Sequence, residues 1–591
     1  MKNYQKRLEK HFDELKWLYM ELYDSQEMFQ ELCQKMYRFF ADRPEDLKGL
    51  DAQRIENPKW YRKNDMLGMM FYIDNFSKDL KGLQEKIGYI KECRVNYIHL
   101  MPFLDTPKGR SDGGYAVADF RKVRSDLGTI EELREVTKKC REKQISVCMD
   151  FVMNHTSEDH EWAMRAKRGE REYMDRYFFY DNYDIPAKYE ETVPQVFPTT
   201  APGNFTYLPE VGHYVLTSFY PYQWDLNYKN PRVFNEMMYN FLYLANVGID
   251  VVRIDAVPYI WKELGTDCRN LKQVHTIVRM MRMIGEIVCP AVVLLGEVVM
   301  EPAKVAPYFG TVEKPECHML YNVTTMATTW HTVATKDVRL LKKQMDILSA
   351  LPKEYTFLNY LRCHDDIGWG LDYPTLQEWG MMERPHKEYI NAFFLGNTYE
   401  SFSRGELYNY DPVTGDARFC GTAASMCGLE KALEEQDEKQ VDAAIERILM
   451  LHAYMFMQSG IPVIYSGDEI GQLNDYGYKN DPDKAEDSRY LHRGAFSWEN
   501  AEKKRIKGSV QERIFYGLKK LEEMRAGEKV FAADADCYTV ETGENAVLCI
   551  VREYENERIT GIFNFSNEEK TIMLEEQINV KGNSFLWIKK G

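Results

Sequence analysis

Three carboxylates stand at the ends of apolar runs. Asp255 closes IDVVRID (249–255), Glu297 sits in VVLLGEV (292–298), and Asp365 follows FLNYLRC (357–363). An apolar strand that finishes in charge is unusual on packing grounds, and three on one rim is a stronger signal than one. Arg253 precedes Asp255 by two positions, so on a strand both face the same side. An arginine beside an aspartate favours the ionised form and lowers its pKa, as a nucleophile requires. Glu297 follows VVLLG, where partial burial raises a carboxyl pKa, as a general acid requires. One ionised carboxylate and one protonated carboxyl are the equipment of retaining glycosyl transfer. The same residues also read as a buried Arg–Asp ion pair beside an isolated glutamate.

The elements that would position them are short apolar runs alternating with helical patterns. Besides the three above, MLGMMFYI (66–73), VNYIHLM (95–101), ISVCMDFV (145–152), HMLYN (318–322) and IPVIYSG (461–467) read as strands. Their continuous apolar character is that of parallel strands buried on both faces. Helical patterns such as 130–143 and 231–248 lie between them, and Gly248 marks a helix end. Eight strands with helical connections predict a (β/α)8 barrel, although the periodicity alone leaves a doubly wound sheet open. In a barrel the strand ends converge over the axis, and Asn154, His155, Arg362, His364 and Asp366 join the rim.

The barrel is expected over 65–505. Two connections are too long for simple loops, at about 155–226 and 367–430, and are expected as insertions on the catalytic face. Residues 1–64 predict an N-terminal helical domain, with apolar positions recurring at three and four in 4–40 and a break at Asp24–Gln26. Short helix and loop then lead to the barrel. Residues 506–591 turn to alternating runs such as VLCIVRE and NSFLWIKK, which predict a C-terminal antiparallel β-sandwich domain.

Composition narrows the partners. A net charge of −16 disfavours nucleic acid or an anionic membrane. No secretory h-region opens the chain and no apolar segment approaches a membrane span. The 12 cysteines form no CxxC pair and often lie in apolar runs, which fits free thiols in a reducing, cytoplasmic setting. The amphipathic N-terminal helices leave an oligomer open.

The segments SDGGYAVADF, DFVMNHTS, DVVRIDAV, LLGEV and CHDD occur in the order of the motif regions of the alpha-amylase superfamily, glycoside hydrolase family 13, which the chain resembles. QWDLNYKNP, PYIWKELGT, HDDIGW and EDSRYLHR look like amylosucrase and related sucrose-cleaving enzymes, from the N-terminal helices to about residue 500. The resemblance implies Asp255 as nucleophile, Glu297 as general acid/base and Asp365 as transition-state stabiliser. It implies Arg253 beside the nucleophile, and His155 and His364 on the glucosyl hydroxyls. Asp112 and Tyr115 match a donor-subsite acid and stacking platform, with Arg489 as the acid's partner closing the pocket. Phe219 or Tyr222, in TSFYPYQW, should lie near the same subsite. Asp366 and Arg418 resemble acceptor-subsite residues. In one departure, Pro194 and Gln195 stand where amylosucrases carry arginine and glutamate, which leaves acceptor use open.

The activity that this resemblance implies is α-glucosyl transfer from sucrose to a glucan or sugar acceptor with release of fructose, and some hydrolysis. No metal or cofactor is expected. A sucrose hydrolase, or an α-glucosidase or maltooligosaccharide transglucosidase, would use the same carboxylates. A carbohydrate-binding scaffold without activity should have lost one of the three, and all are present.

Overall fold

The computed structural model describes residues 2–300, 302–368 and 370–590; Trp369 of the HDDIGW motif lies outside them. All eight apolar runs are strands: β1 (Gly68–Phe71), β2 (Tyr97–Leu100), β3 (Ser146–Val152), β4 (Val251–Asp255), β5 (Val293–Gly296), β6 (Met319–Tyr321), β7 (Thr356–Asn359) and β8 (Ile461–Tyr465). They close a parallel barrel in chain order, with β8 returning to β1. Every residue of these strands is buried, which accounts for their lack of polar alternation. The helix after β2 spans Ile130–Glu142, and Thr129 with Glu132 forms its capping box. The helix before β4, Pro231–Val247, begins with an Asn230 cap and stops at Gly248, where φ is +108°.

β7 is shorter than its apolar run. Its last ladder partners are Asn359 and Pro462 of β8. Beyond them, residues 360–366 leave the barrel as irregular backbone. Period-two alternation therefore does not apply at His364, Asp365 and Asp366, and neighbouring side chains there are free to take different directions.

The first insertion has a two-stranded neck. His155–Ser157 pairs antiparallel with Gln223–Asp225, placing His155 opposite Asp225. A three-stranded sheet built from Phe179–Tyr180, His213–Leu216 and Phe205–Leu208 lies beyond it. The second insertion carries Ile367–Gly368 against Arg418–Cys420, in a register that pairs Gly368 with Arg418.

At the N-terminus, α1 (Lys2–Tyr23) packs on Lys272–Val288 and α2 (Gln26–Ala41) on Pro231–Val247. Their buried faces share one continuous hydrophobic core with the barrel. The stretch read as short helix and loop holds a full helix, α3 (Glu45–Glu56). Its Asp51 accepts from Arg43 Nη2 and Nε at 2.8 and 2.7 Å and from Ala291 N at 3.1 Å, and Arg43 also donates to Ala245 O at 3.0 Å.

The C-terminal strands β9 (Asp536–Val540), β10 (Val547–Tyr554), β11 (Glu557–Asn564) and β14 (Ser584–Lys590) form one antiparallel sheet, and β12 (Lys570–Met573) pairs with β13 (Gln577–Val580). Alternation sorts the faces: Leu548 and Ile550 join the main core, whereas Val547 and Cys549 join a small cluster with Ile572 and Val580. All twelve cysteines are free thiols. No helix among the described residues is long and apolar enough to cross a membrane.

The Arg43–Asp51 pair is buried on both sides, so removing one partner strands a charge. Arg43→Ala is expected to lower the unfolding free energy by about 3–5 kcal/mol. Replacing both residues with apolar side chains should recover most of it. Urea unfolding of the two variants checks this, and equal losses would contradict it.

Candidate active site

Strand register brings the charged residues together. Arg253 lies level with Asp150 of β3 and Leu295 of β5, so its side chain enters the barrel mouth between Asp150 and the end of β5. Its guanidinium serves three carboxylates. Nη1 donates to Asp150 Oδ1 and, at 2.8 Å, to Asp255 Oδ1; Nη2 meets Glu297 Oε1 at 2.6 Å. Glu297 Oε2 accepts from Ala256 N at 3.0 Å. Ala256 holds φ at +46°, a left-handed conformation disfavoured for a residue with a Cβ. That turn aims its N–H at the glutamate.

Asp150 is held down at about 2; burial opposes this, but Arg253 and then His99 outweigh it. His99 Nε2 contacts Asp150 Oδ2 at 2.8 Å, and Tyr321 Oη contacts His99 Nδ1 at 3.2 Å. His99 is pushed up to about 9: burial works against its charge, and Cys148 and Asp150 overcome it. Asp255 moves in the direction opposite to the sequence expectation. Burial first, and the Glu297 charge second, push it well above the usual carboxylate range against the pull of Arg253. The reason is sharing, since one guanidinium already committed to Asp150 cannot hold two further buried carboxylates ionised. Arg253 and His99 bring two positive charges to three carboxylates, so Asp255 is the one whose ionisation the site opposes.

A second layer lies over this one. Tyr115 Oη donates to Asp150 Oδ1 at 3.2 Å and contacts His364 Nε2 at 2.8 Å, with the two rings stacked 5.5 Å apart. His364 is pushed well below its ordinary value by burial and by Arg493 and Arg253. Asp365 approaches His364 Nε2 at 3.3 Å and Arg493 Nη2 at 3.5 Å. Arg493 Nε and His492 hold the His364 carbonyl at 2.7 and 3.0 Å. Arg489 Nη2 donates to Asp112 Oδ1 at 3.0 Å and lies 3.9 Å from Asp365 through Nη1. Asp487 also engages Arg489, at 2.7 Å. The loops after β2 and β8 are thus joined by charge.

On the opposite wall, His155 Nε2 contacts the Tyr115 carbonyl at 3.2 Å, and burial holds its imidazole at about 4. The Phe219 ring packs 5.2 Å from that imidazole. Tyr222 instead stacks on Tyr220, whose hydroxyl meets Tyr408 of the second insertion at 3.2 Å. Phe219 therefore lines the site and Tyr222 belongs to its roof. Asp366 turns away from Asp365 toward Arg418 Nη1, at 3.5 Å. Arg362 pairs with Asp468 at 2.8 Å and is fully buried, so it supports the rim from behind.

Sequence reading placed Asp150 at the end of its strand but missed His99, Arg493 and Lys262. His99 had a signal, as a polar residue between Ile98 and Leu100 of an apolar run. Lys262 Nζ holds Asp225 Oδ2 and Asn154 Oδ1, both at 2.8 Å, and the Tyr259 carbonyl. This buried ammonium pins the insertion neck to the barrel beside His155.

A parallel barrel whose strand ends gather one arginine and several carboxylates, under a roof of two insertions, is a site of the glycosyl-transfer class. The model of the alpha-amylase catalytic domain matches residues 54–367, and the chain belongs to the alpha-amylase family and carries its catalytic domain. It is 30% identical over 413 residues to a trehalose synthase/amylase of Mycolicibacterium smegmatis, covering 69% of this chain and 62% of that protein. It thus spans about three-fifths of that relative's length. It is 26% identical over 571 residues to a glucosylglycerate phosphorylase of Escherichia coli, covering 93% and 95%. A similar fold occurs in the sucrose 6F-phosphate phosphorylase of Thermoanaerobacter thermosaccharolyticum, with a TM-score of 0.66 at 17% identity, covering 88% of this chain and 98% of that one.

The buried imidazoles set a pH signature. Burial holds His155 and His160 at about 4, and His331 and His492 at about 3. Below about 6.5 the unfolded chain binds protons that these sites refuse, so their contribution falls as pH drops from there toward the folded values. The raised His99 acts oppositely: its contribution is complete below 6.5 and is lost as pH rises through about 9. Denaturant unfolding from pH 4.5 to 9 should show a maximum near 6.5–7. The acid limb should be steeper. His318, His364, His386 and His452 are also held below their ordinary value and outnumber Glu469 and Glu522, which burial holds at about 7 and which act the other way. On the alkaline side His99 alone is a raised imidazole. A stability that climbs on acidification from 6.5 would contradict it.

Proposed function

We propose that the chain is a retaining α-glucosidase and transglucosidase that removes the terminal glucosyl residue of a small α-glucoside, with sucrose as the first donor to test. Water and small hydroxyl compounds compete for the glucosyl group. The observation that carries this reading is the single guanidinium of Arg253, bonded to both Asp255 and Glu297. Two carboxylates on the two terminal nitrogens of one guanidinium fit the short spacing of a retaining pair, about 5–5.5 Å.

In this reading Glu297 delivers a proton to the glycosidic oxygen. Asp255, bridged to Arg253 at 2.8 Å, attacks the anomeric carbon, and a β-glucosyl ester forms. Asp365, with neutral His364 and His155, favours the cationic, flattened transition state. Glu297 then takes the proton of the incoming hydroxyl, and the second displacement restores the α configuration. No step calls on a metal or a cofactor. The Asp112–Arg489 contact closes the inner end of the pocket, so a chain could enter only by its terminus. Relatives named for trehalose and for glucosylglycerate support a small α-glucoside as donor. Glucan elongation in the manner of amylosucrases is the second reading, and the Asp366–Arg418 pair favours it as an acceptor subsite.

A fluorinated glucosyl donor should leave a glucosyl adduct on Asp255 by peptide mass spectrometry, and Asp255→Asn should form none. Glu297→Gln should lose about 10²–10⁴-fold on sucrose but much less on glucosyl fluoride, whose leaving group needs no acid. An adduct on another residue would refute the assignment. Separately, Arg489→Ala should reduce kcat/KM for sucrose by roughly 10²-fold, the scale of a buried charge left unpaired. Incubation with sucrose, trehalose and maltooligosaccharides in parallel, with all sugars quantified, ranks the donors. Release of glucose from none of them would overturn the proposal.

A further inference from the structure

The segment after β7 holds a group of side chains that glucosyl transfer does not use as a set. Cys363, His364 and Asp365 follow one another where the backbone has left the barrel ladder, whose last pair is Asn359 and Pro462. On a strand His364 would face away from its two neighbours. In this irregular stretch the three converge. One ligand atom from each, the Cys363 sulfur, an imidazole nitrogen and a carboxylate oxygen, lies within 4.8 Å of the other two. Among the described residues no other three Cys, His, Asp or Glu side chains are grouped in this way.

The protein leaves these atoms loosely engaged. His364 is buried, and its Nδ1 has no hydrogen-bond partner; Nε2 is shared between Tyr115 Oη at 2.8 Å and Asp365 at 3.3 Å. The Cys363 sulfur accepts from Asp365 N at 3.3 Å. Asp365 is held at a distance, by Arg493 at 3.5 Å and Arg489 at 3.9 Å, beyond the reach of a strong charge-assisted bond, about 2.7–2.9 Å. Its side chain is 34% exposed, so it can be reached from the pocket. Glu297 and Arg253 lie within electrostatic reach of Cys363, which puts the group beside the reacting centre.

Sulfur, imidazole and carboxylate together form a ligand set for a thiophilic divalent cation. Zinc bonds sulfur at about 2.3 Å and nitrogen or oxygen at about 2.0–2.2 Å, so only a modest closure of the group is required. Magnesium and calcium prefer oxygen ligands alone. Three protein ligands leave a fourth position for water.

We propose that Cys363, His364 and Asp365 form an inhibitory site for a thiophilic divalent cation, zinc being the one to test. The inhibition rests on the proposed glucosyl-transfer reading, whereas the binding does not. Burial pushes the Cys363 thiol up, so without a cation the sulfur keeps its proton. On binding, the S–H bond breaks, a metal–sulfur bond forms and the proton passes to solvent. Asp365 then spends its charge on the cation and no longer serves a cationic sugar. Cation and donor exclude one another.

Cadmium is the direct probe, because its bond to a thiolate absorbs in the ultraviolet. Wild-type protein titrated with cadmium chloride should develop a charge-transfer band that saturates at one cation per chain and is displaced by zinc. Cys363→Ala should weaken zinc binding, measured by calorimetry, by more than about 10-fold, since outer-shell partners alone are worth that much. Cys363→Ser, which nearly keeps the volume, takes its place if the alanine variant folds poorly. Zinc should inhibit sucrose turnover competitively, EDTA should restore it, and magnesium should have no effect. Each variant is compared with its own metal-free rate, and Cys363→Ala should resist zinc. A wild-type protein without a saturable band overturns the proposal, as does binding or inhibition that the Cys363 variants leave unchanged. Zinc bound without effect on turnover also overturns it. If no sugar donor is turned over, the parent reading fails, and the cadmium titration still decides the site.

Discussion

One buried guanidinium organises the catalytic end of the barrel. Arg253 is the only strong cation in direct contact with Asp150, Asp255 and Glu297 among the described residues. Charge in a site sheltered from water must be nearly balanced, because an uncompensated ion loses its hydration with nothing in return. His99 supplies a second positive charge through Asp150, and burial with the Glu297 charge pushes Asp255 up. The two carboxylates proposed as nucleophile and acid are thus coupled through one guanidinium.

The roof depends on that base being rigid. His155 reaches the pocket only because the neck of the first insertion pairs it with Asp225, and Lys262 fastens Asp225 and Asn154 to the loop after β4. The second insertion is positioned the same way: the pairing of Gly368 with Arg418 draws Arg418 over Asp366. The insertions then meet through Tyr220 and Tyr408 and cover the strand ends. Hydrogen bonds and ion pairs inside such a cover act in a lower dielectric than at an open surface, which is why few contacts suffice to orient a sugar.

The barrel was legible because its strands are buried on both faces, and continuous apolar runs such as VNYIHLM and VVLLGEV have few other destinations. The rim carboxylates were legible for the complementary reason, as charge at the end of an apolar run. What sequence reading lost was whatever depends on partners distant in the chain. His99 and Asp150 pair across adjacent strands, and neither run alone shows the other. The direction of the Asp255 shift was lost because the Arg253–Asp255 spacing is local, whereas the competition from Asp150 and Glu297 comes from two other strands. The end of β7 was lost because the apolar run continues through Tyr360 and Leu361, whereas the ladder with β8 stops at Asn359.

That early strand end also explains how two adjacent aspartates come to different surroundings. On a continuing strand, Asp365 and Asp366 would point to opposite faces of the barrel wall, and one would be lost to the helical layer. Because the ladder stops at Asn359, the following residues are shaped by tertiary bonds. Arg493 and His492 hold the His364 carbonyl, which leaves Asp365 facing Arg493 and the Asp112–Arg489 end of the pocket. Asp366 is carried past that anchor and turns to Arg418 at the base of the second insertion. The early end of the ladder thus lets consecutive carboxylates take two different partners, Arg493 and Arg418.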